Sequence, residues 1–85
     1  MYKITFKKSA EKEIQKSPSS VILKIVPGIE GLSINPRLIG SKKLHGSKEN
    51  IWLIRIGDYK VVYLIAEEVK IVEARRVGHR KDIYK

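Results

Sequence analysis

A two-residue turn signal at Gly57-Asp58 separates two runs of alternating apolar residues, and this feature constrains the fold most strongly. Glycine accepts the positive φ that tight hairpin turns require, so the two runs are predicted to form an antiparallel hairpin. The aromatic and branched residues then share one face, which we expect to be core. The predicted facing pairs are Ile56 with Tyr59, Arg55 with Lys60, Ile54 with Val61, and Trp52 with Tyr63.

The other face of this hairpin carries Arg55 directly opposite Lys60. Like charges at facing positions of an antiparallel pair destabilise it by a few tenths to ~1 kcal/mol. A sheet with a purely structural role rarely has such a pair, whereas a site that holds an anion benefits from it. We therefore expect an anion such as phosphate to lie over these two side chains.

The first half of the chain predicts one strand followed by a helical hairpin. Residues 2–6 alternate apolar and polar side chains, as in a half-buried strand with a cationic outer face. Ser9 is a candidate cap for a short helix that runs to about Lys16. Ser17-Pro18 is expected to end this helix and to start the next, because proline is tolerated at the first helical position.

The second predicted helix keeps helical apolar spacing until a break at Asn35-Pro36. Pro27-Gly28 lies inside it, so we expect a kink or a split into two pieces. Residues 9–34 are thus interpreted as a helical hairpin whose apolar stripe is core rather than a ligand site.

A third strand of the sheet, about Val69 to Val77, follows a turn at Glu67-Glu68. Its adjacent Arg75 and Arg76 are expected to point to opposite faces, so that one of them joins the cationic face. The predicted fold is therefore α+β, a single domain over residues 1–85. Its order is an N-terminal strand, a two-helix hairpin and three antiparallel strands in one sheet packed on the helices.

The segment from Asn35 to Asn50 is interpreted as a linker, since it has few apolar residues. It carries several cations and leads directly into the hairpin, so it is a candidate flank for a phosphate backbone. The solvated alternative stays open for these cations, and His45 is interpreted as an exposed bystander. The cations are Arg37, Lys42, Lys43 and Lys48.

Charge is the main global feature, with 18 Lys and Arg against 9 Asp and Glu and a formal net charge of +9. Such an excess accelerates association with polyanions and fits nucleic acid, an acidic protein or an anionic membrane about equally well. The chain has no cysteine, which excludes disulfides and thiolate chemistry and is compatible with a reducing cytoplasm. No signal peptide or membrane span is expected.

Three motifs together resemble the RelE/ParE toxin superfamily, and its RelE branch in particular. They are Lys43-Leu-His-Gly46, the run from Trp52 to Tyr63, and Val77-Gly-His-Arg-Lys-Asp-Ile-Tyr84. The resemblance implies the toxin of a type II toxin–antitoxin pair, an enzyme that cleaves mRNA in the ribosomal A site. It implies no metal and no cofactor: the ribose 2′-oxygen attacks the neighbouring phosphate, and cations stabilise the negative charge.

The candidate site residues form two groups. The catalytic group is Arg55, Lys60, His79, Arg80 and Tyr84, and the RNA-binding group is Lys42, Lys43, Arg75, Arg76 and Lys81. The resemblance implies that Arg80 stabilises the transition state and that Tyr84 stacks on a base or exchanges a proton. Structural alternatives are an ion pair of Arg80 with Asp82 or Glu73, and a His79 ring that only satisfies backbone groups.

Two positions depart from the family pattern. Lys60 stands where the best-matched enzymes carry arginine, and an ammonium cannot make the bidentate phosphate contact of a guanidinium. Leu53 stands where some members have a lysine proposed as the general base. The cations of the expected site are therefore assigned, whereas its proton acceptor is not.

The resemblance also implies partners and leaves other functions open. The expected partners are an acidic antitoxin, the ribosome and its mRNA, with operator DNA reached only through the antitoxin and with no membrane. An alternative is a ParE-like toxin that inhibits DNA gyrase without chemistry of its own, because one fold supports both functions. A domain that binds RNA without cutting it is the third possibility.

Overall fold

A computed structural model describes residues 1–38, 40–46 and 48–79. Its elements are β1 (Lys3–Phe6), α1 (Lys8–Gln15), α2 (Ser19–Glu30), a 3₁₀ turn (Gly31–Ser33), β2 (Lys42–Lys43), β3 (Ile51–Ile56), β4 (Tyr59–Ala66) and β5 (Ile71–His79). The described strands form one five-stranded sheet in the order β1-β5-β4-β3-β2, with the helices packed on one face. The predicted α+β architecture is confirmed, and the sheet has one strand more than predicted.

The additional strand is β2, which lies inside the segment interpreted as a linker. Lys42 pairs with Leu53 and Lys43 pairs with Trp52, so β2 extends the hairpin at its β3 edge. Two residues are too short to show any alternation of apolar and polar side chains, and for that reason the sequence pattern missed the strand.

The hairpin of β3 and β4 has the register that the turn predicts. The observed pairs include Ile56 with Tyr59, Arg55 with Lys60, Ile54 with Val61, and Trp52 with Tyr63. Gly57 has a φ of 61°, which is the left-handed conformation that a two-residue turn requires. The face toward the helices is therefore apolar as expected, and the other face carries the expected Arg55–Lys60 pair next to the apolar Leu53–Val62 pair.

The core lies between the helices and the sheet. Its buried residues are Ala10, Ile25, Ile29, Leu32, Ile54, Val61, Tyr63, Ile65, Val72, Ala74 and Val77. Tyr63 is fully buried, and its hydroxyl donates a hydrogen bond of 2.7 Å to the carbonyl oxygen of Pro36. Burial raises the pKa of Tyr63 above its ordinary value. The interpretation of Tyr63 as core is confirmed, and Trp52 and Tyr59 pack against the same cluster.

The helices differ from the prediction in two details. Helix α1 begins at Lys8, and Ser9 does not cap it; its Oγ donates instead to the carbonyl oxygen of Arg75 at 2.9 Å. The early start follows from β1, since the N–H of Lys7 still bonds the sheet at 2.9 Å immediately before the helix. A cap position at Ser9 is therefore already inside the helix.

Helix α2 is continuous through Pro27, so of the expected kink or split, the split is wrong. A proline inside a helix removes one backbone hydrogen bond. The buried side chains of Ile25 and Ile29 on either side of it hold the helix on the sheet. Gly28 allows a close approach there, because a Cβ at this position would lie 2.5 Å from Cδ1 of Ile56.

Strand β5 begins at Ile71 and ends at His79, two residues later at each end than the predicted span of 69–77. The turn before it is longer than Glu67-Glu68 because Lys70, with a φ of 56°, still belongs to it. β5 pairs antiparallel with β4 along one edge and in parallel with β1 along the other. The strand therefore lies between β1 and β4.

A β-bulge interrupts the pairing of β4 with β5. Tyr63 faces Ala74, whereas Val62 faces Arg76, so Arg75 is the extra residue. As a result, Arg75 and Arg76 line the same cavity on the sheet face turned away from the helices. The expectation that these adjacent arginines point to opposite faces is wrong, because the bulge suspends the strict alternation of the strand.

Among the described helices, none combines the length and the apolar character that crossing a membrane requires.

Candidate functional site

Arg55 and Lys60 lie at facing positions on the sheet face turned away from the helices. Lys42 reaches the same face because it pairs with Leu53, whose side chain also points there. These four residues and Gly40 line a cavity of about 320 Å³, which we call the cationic cavity. Since three of the five described lining residues are cations, the cavity suits an anion.

The two facing cations differ in exposure. Arg55 is exposed, and its Nε donates a long hydrogen bond of 3.4 Å to the carbonyl oxygen of Gly57. A guanidinium has five N–H donors, so a two-point contact with phosphate remains open to it. Lys60 is only 7 % exposed, which restricts its ammonium to few positions. Fixed charges of this kind stabilise developing negative charge without reorganisation.

A second cavity, of about 470 Å³, lies beside the cationic cavity on the same sheet face. Val62 lines it and faces Leu53 of the first cavity, so this one cross-strand pair separates the two. We call it the arginine cavity, since its other lining residues include Lys7, His45, Glu49, Arg75 and Arg76. The two cavities adjoin each other, and among their described lining residues six are Lys or Arg and one, Glu49, is acidic.

Carboxylates hold both arginines of the arginine cavity. Arg75 donates to both oxygens of Glu49 at 2.7 and 2.9 Å, and its Nε donates to Glu73 at 2.9 Å. The hydrogen bonds from Arg75 hold the pKa of Glu49 below its ordinary value, and Glu49 and Glu73 raise the pKa of Arg75. Arg76 pairs with Glu13 at 3.2 Å. Both guanidiniums are therefore oriented by the protein itself.

His79 lies on the opposite face of the sheet from the cationic cavity. It pairs with Tyr59 across β4 and β5, and the two rings meet edge to face with centroids 5.7 Å apart. A cavity of about 240 Å³ adjoins it, lined also by residues of the helical layer such as Lys16 and Ser17. The structure thus separates His79 from Arg55 and Lys60.

Lys43 also lies apart from the cationic cavity. It is the neighbour of Lys42 on β2 and pairs with Trp52, so it projects toward the other face of the sheet. Of the RNA-binding candidates, Lys42 therefore joins the cationic cavity, Arg75 and Arg76 line the arginine cavity, and Lys43 lines neither.

The chemistry open to this surface is electrostatic. Cations converge on the cationic cavity, and the described part of the chain holds no group of three or more His, Asp or Glu side chains placed to share a metal ion. Preorganised cations of this kind favour reactions in which negative charge accumulates on an oxyanion or a phosphate.

The family profile described as the ParE toxin of type II toxin-antitoxin system, parDE, matches residues 4–84 of the sequence. The chain belongs to the RelE/ParE superfamily of type II toxins. This family assignment confirms the resemblance that the hairpin and C-terminal motifs indicated, and the chain is accordingly a toxin of a type II toxin–antitoxin system.

Relatives in two organisms agree with the family assignment. The chain is 32% identical over 85 residues to toxin RelG of Mycobacterium tuberculosis, covering 99% of this chain and 97% of the relative. Among solved structures, the toxin–antitoxin complex RelBE2 of M. tuberculosis aligns with a TM-score of 0.82 and 29% identity, covering 93% and 98% of the two chains. The intact E. coli RelBE complex aligns with a TM-score of 0.80 and 26% identity, covering 93% and 96%.

Three of the candidate residues of this RelE-like toxin, Arg80, Lys81 and Tyr84, lie outside the described residues. Their roles rest on the C-terminal motif alone. In the sequence, they follow His79, the last residue of β5.

Two ion-pair contacts around the site are not predicted by the sequence pattern. Glu49 is not among the candidate residues, yet it makes the two-point contact with Arg75. Arg37 was interpreted as a possible backbone contact, but it forms an ion pair with Glu67 and lies 5.4 Å from the Trp52 ring centroid. Both contacts join residues far apart in the sequence, so no local pattern indicates them.

Proposed function

We propose that this toxin is a ribosome-dependent endonuclease that cleaves mRNA in the ribosomal A site and so stops translation in the cytoplasm. The observation that carries the proposal is the cationic cavity, where Arg55, Lys60 and Lys42 converge on the open face of the sheet. A phosphate of the mRNA offsets the repulsion between Arg55 and Lys60. The family assignment supports this reading of the cavity.

In the proposed reaction the 2′-oxygen of a ribose attacks the adjacent phosphorus. The P–O bond to the 5′-oxygen of the next nucleotide breaks, which leaves a 2′,3′-cyclic phosphate and a 5′-hydroxyl. The proton lost by the 2′-hydroxyl is balanced by the proton gained by the leaving oxygen. Negative charge peaks on the phosphate oxygens between these events, and Arg55 and Lys60 are placed to stabilise it, with Arg80 assigned the same role by resemblance.

The RNA strand is proposed to continue from the cationic cavity into the arginine cavity. The two are separated only by the Leu53–Val62 pair, so a backbone can cross this surface without leaving it. Arg75 and Arg76 remain partly accessible to RNA while carboxylates hold them, because their side chains are 24% and 53% exposed. Phosphate contacts of this kind position RNA but carry little sequence information.

The proposed partner in the resting state is an acidic antitoxin. Both solved relatives described above are complexes of a toxin with an antitoxin. A toxin with a net charge of +9 attracts an acidic partner strongly at low salt. Operator DNA is then reached through the antitoxin, and no contact with a membrane is proposed.

Cleavage of mRNA on purified translating ribosomes tests the proposal. Arg55→Ala and Lys60→Ala are each expected to lower the cleavage rate by about 10²-fold or more, the usual loss when one preorganised donor is removed. Lys24→Ala removes an exposed lysine from the helical layer and is the matched control, expected to cleave like the wild type. Primer extension maps the cut, and end-group analysis detects the cyclic phosphate.

Two outcomes would overturn the proposal. One is wild-type protein that leaves ribosome-bound mRNA intact while causing gyrase-dependent DNA cleavage, which would establish the ParE-like alternative. The other is full cleavage by both cavity variants, which would place the site elsewhere.

A further inference from the structure

Beyond the end of β1, helix α1 lies along the edge of β5. β1 pairs with β5 as far as Phe6 beside Ala74, and the N–H of Lys7 donates to the carbonyl oxygen of Ala74 at 2.9 Å. Among the described strands, none covers this edge of β5 beyond Ala74. Its backbone groups still need hydrogen-bond partners, because buried N–H and C=O groups are almost always paired.

Two side chains of α1 supply these partners. Ser9 Oγ donates to the carbonyl oxygen of Arg75 at 2.9 Å, and Glu13 Oε1 accepts the N–H of Val77 at 2.8 Å. Residues 9 and 13 are one helical turn apart, so their side chains lie on the same face of α1. The helix thus bonds β5 immediately after the bulge, in the place that a strand would otherwise occupy.

Glu13 makes a second contact at the same point. Its Oε2 accepts hydrogen bonds from Nε and Nη2 of Arg76 at 3.3 and 3.2 Å. One carboxylate therefore holds two successive residues of β5, Arg76 and Val77. The strand ends two residues later at His79, and the sequence continues directly with Arg80.

We infer that Glu13 is a positioning residue for the proposed RNA-cleaving site, since it fixes the part of β5 that leads into Arg80. The inference rests on the proposed function. A carboxylate that accepts a backbone N–H makes a strong, charge-assisted hydrogen bond. A displacement of about 1 Å in a reacting group can lower a rate by ~10²-fold, so an anchor at this point affects catalysis without touching the RNA. Ser9 supports it by holding Arg75.

The first test compares cleavage by Glu13→Ala, Glu13→Gln and Glu11→Gln on purified translating ribosomes. Glu13→Ala is expected to lower kcat by about tenfold, with KM for the ribosome within about twofold of wild type. Glu13→Gln keeps an oxygen that accepts the Val77 N–H and is expected to restore most of kcat. Glu11 is an exposed acid on the same helix, so Glu11→Gln matches the charge change and is expected to behave as wild type.

Amide hydrogen exchange separates positioning from a general loss of folding. In Glu13→Ala the Val77 amide is expected to exchange at least ~10-fold faster, while the amides of the β3–β4 hairpin keep their rates. Ser9→Ala removes the neighbouring bond and is expected to lower kcat less. If Glu13→Ala does not fold, Ser9→Ala carries the comparison, because it removes the other hydrogen bond from α1 to β5, and Glu13→Gln is its conservative control.

The inference is overturned if the Val77 amide exchanges faster in Glu13→Ala while kcat stays at the wild-type value. Where Glu13→Ala does not fold, the inference is overturned if Ser9→Ala keeps the wild-type kcat, since Glu13→Gln is itself expected to cleave nearly like the wild type. Wild-type protein that binds ribosomes without cutting mRNA is a different failure, because it removes the proposed function itself.

Discussion

The facing pair of Arg55 and Lys60 predicts opposite effects of one substitution on stability and on activity. Arg55→Gln removes one of two like charges at facing positions, which is expected to stabilise the fold by a few tenths to ~1 kcal/mol. For a domain of this size, 1 kcal/mol corresponds to about 4–8 °C in Tm, so the expected rise is about 1–8 °C. The lost hydrogen bond to Gly57 offsets little of this, since at 3.4 Å it is long and exposed. Cleavage on the ribosome is expected to fall by about 10²-fold.

The control for this prediction is Lys24→Gln, which lowers the net charge equally but removes a cation from the helical layer. Thermal unfolding is measured for both variants at low salt and at about 1 M salt, where the Debye length is only ~3 Å. The gain from Arg55→Gln is expected to shrink at high salt, because screening weakens the repulsion. An Arg55→Gln protein no more stable than Lys24→Gln would refute the claim that the pair is strained.

The remaining predictions concern stability. Tyr63→Phe leaves the buried carbonyl of Pro36 without its donor and is expected to destabilise the fold by about 1–3 kcal/mol, measured by urea unfolding; an unchanged midpoint would show that this bond contributes nothing. Because Arg75 lowers the pKa of Glu49 from 4.5, this pair adds stability above that pH, and the gain is lost as the pH falls below it. The Tm difference between wild type and Glu49→Gln should therefore be present at pH 7 and shrink below about pH 4.5, whereas a difference independent of pH would contradict the linkage.

The hairpin was predictable because its determinants are local. A two-residue turn leaves only one register for the flanking strands, so counting from Gly57 gives every facing pair. Alternation then decides which side chains meet the core, and the Arg55–Lys60 pair follows without any knowledge of the rest of the chain. The facing cations of the candidate site, Arg55 and Lys60, could therefore be predicted from about a dozen residues.

The position of Lys42 at the cationic cavity could not be predicted in the same way. Strand β2 consists of two exposed lysines, and only its pairing with β3 brings Lys42 to the cationic cavity. Backbone hydrogen bonds to a neighbouring strand need no particular side chain. The side chains of a short polar segment therefore do not indicate that it pairs as a strand. The alternation of Lys42 and Lys43 between the two faces depends on the same pairing.

The bulge in β5 has a signature in the sequence that strict alternation overlooks. The buried residues of this strand are Val72, Ala74 and Val77, so their spacing changes from two to three. Continued alternation would place Arg76 in the core, and burying an unpaired guanidinium costs several kcal/mol per charge, on the order of the whole stability of a small domain. Insertion of Arg75 avoids this and returns Val77 to the apolar face.

The same inserted residue decides which chemistry faces the RNA. A shift of one residue moves every later side chain of a strand to the other face. Without the bulge, His79 would lie on the face of Arg55 and Lys60; with it, His79 shares the face of Val77 and meets Tyr59. Arg76 is moved in the opposite direction, onto the arginine cavity. Along the described part of β5, the bulge thus exchanges an imidazole for a guanidinium on the proposed RNA-binding face, which favours charge stabilisation over proton transfer by His79.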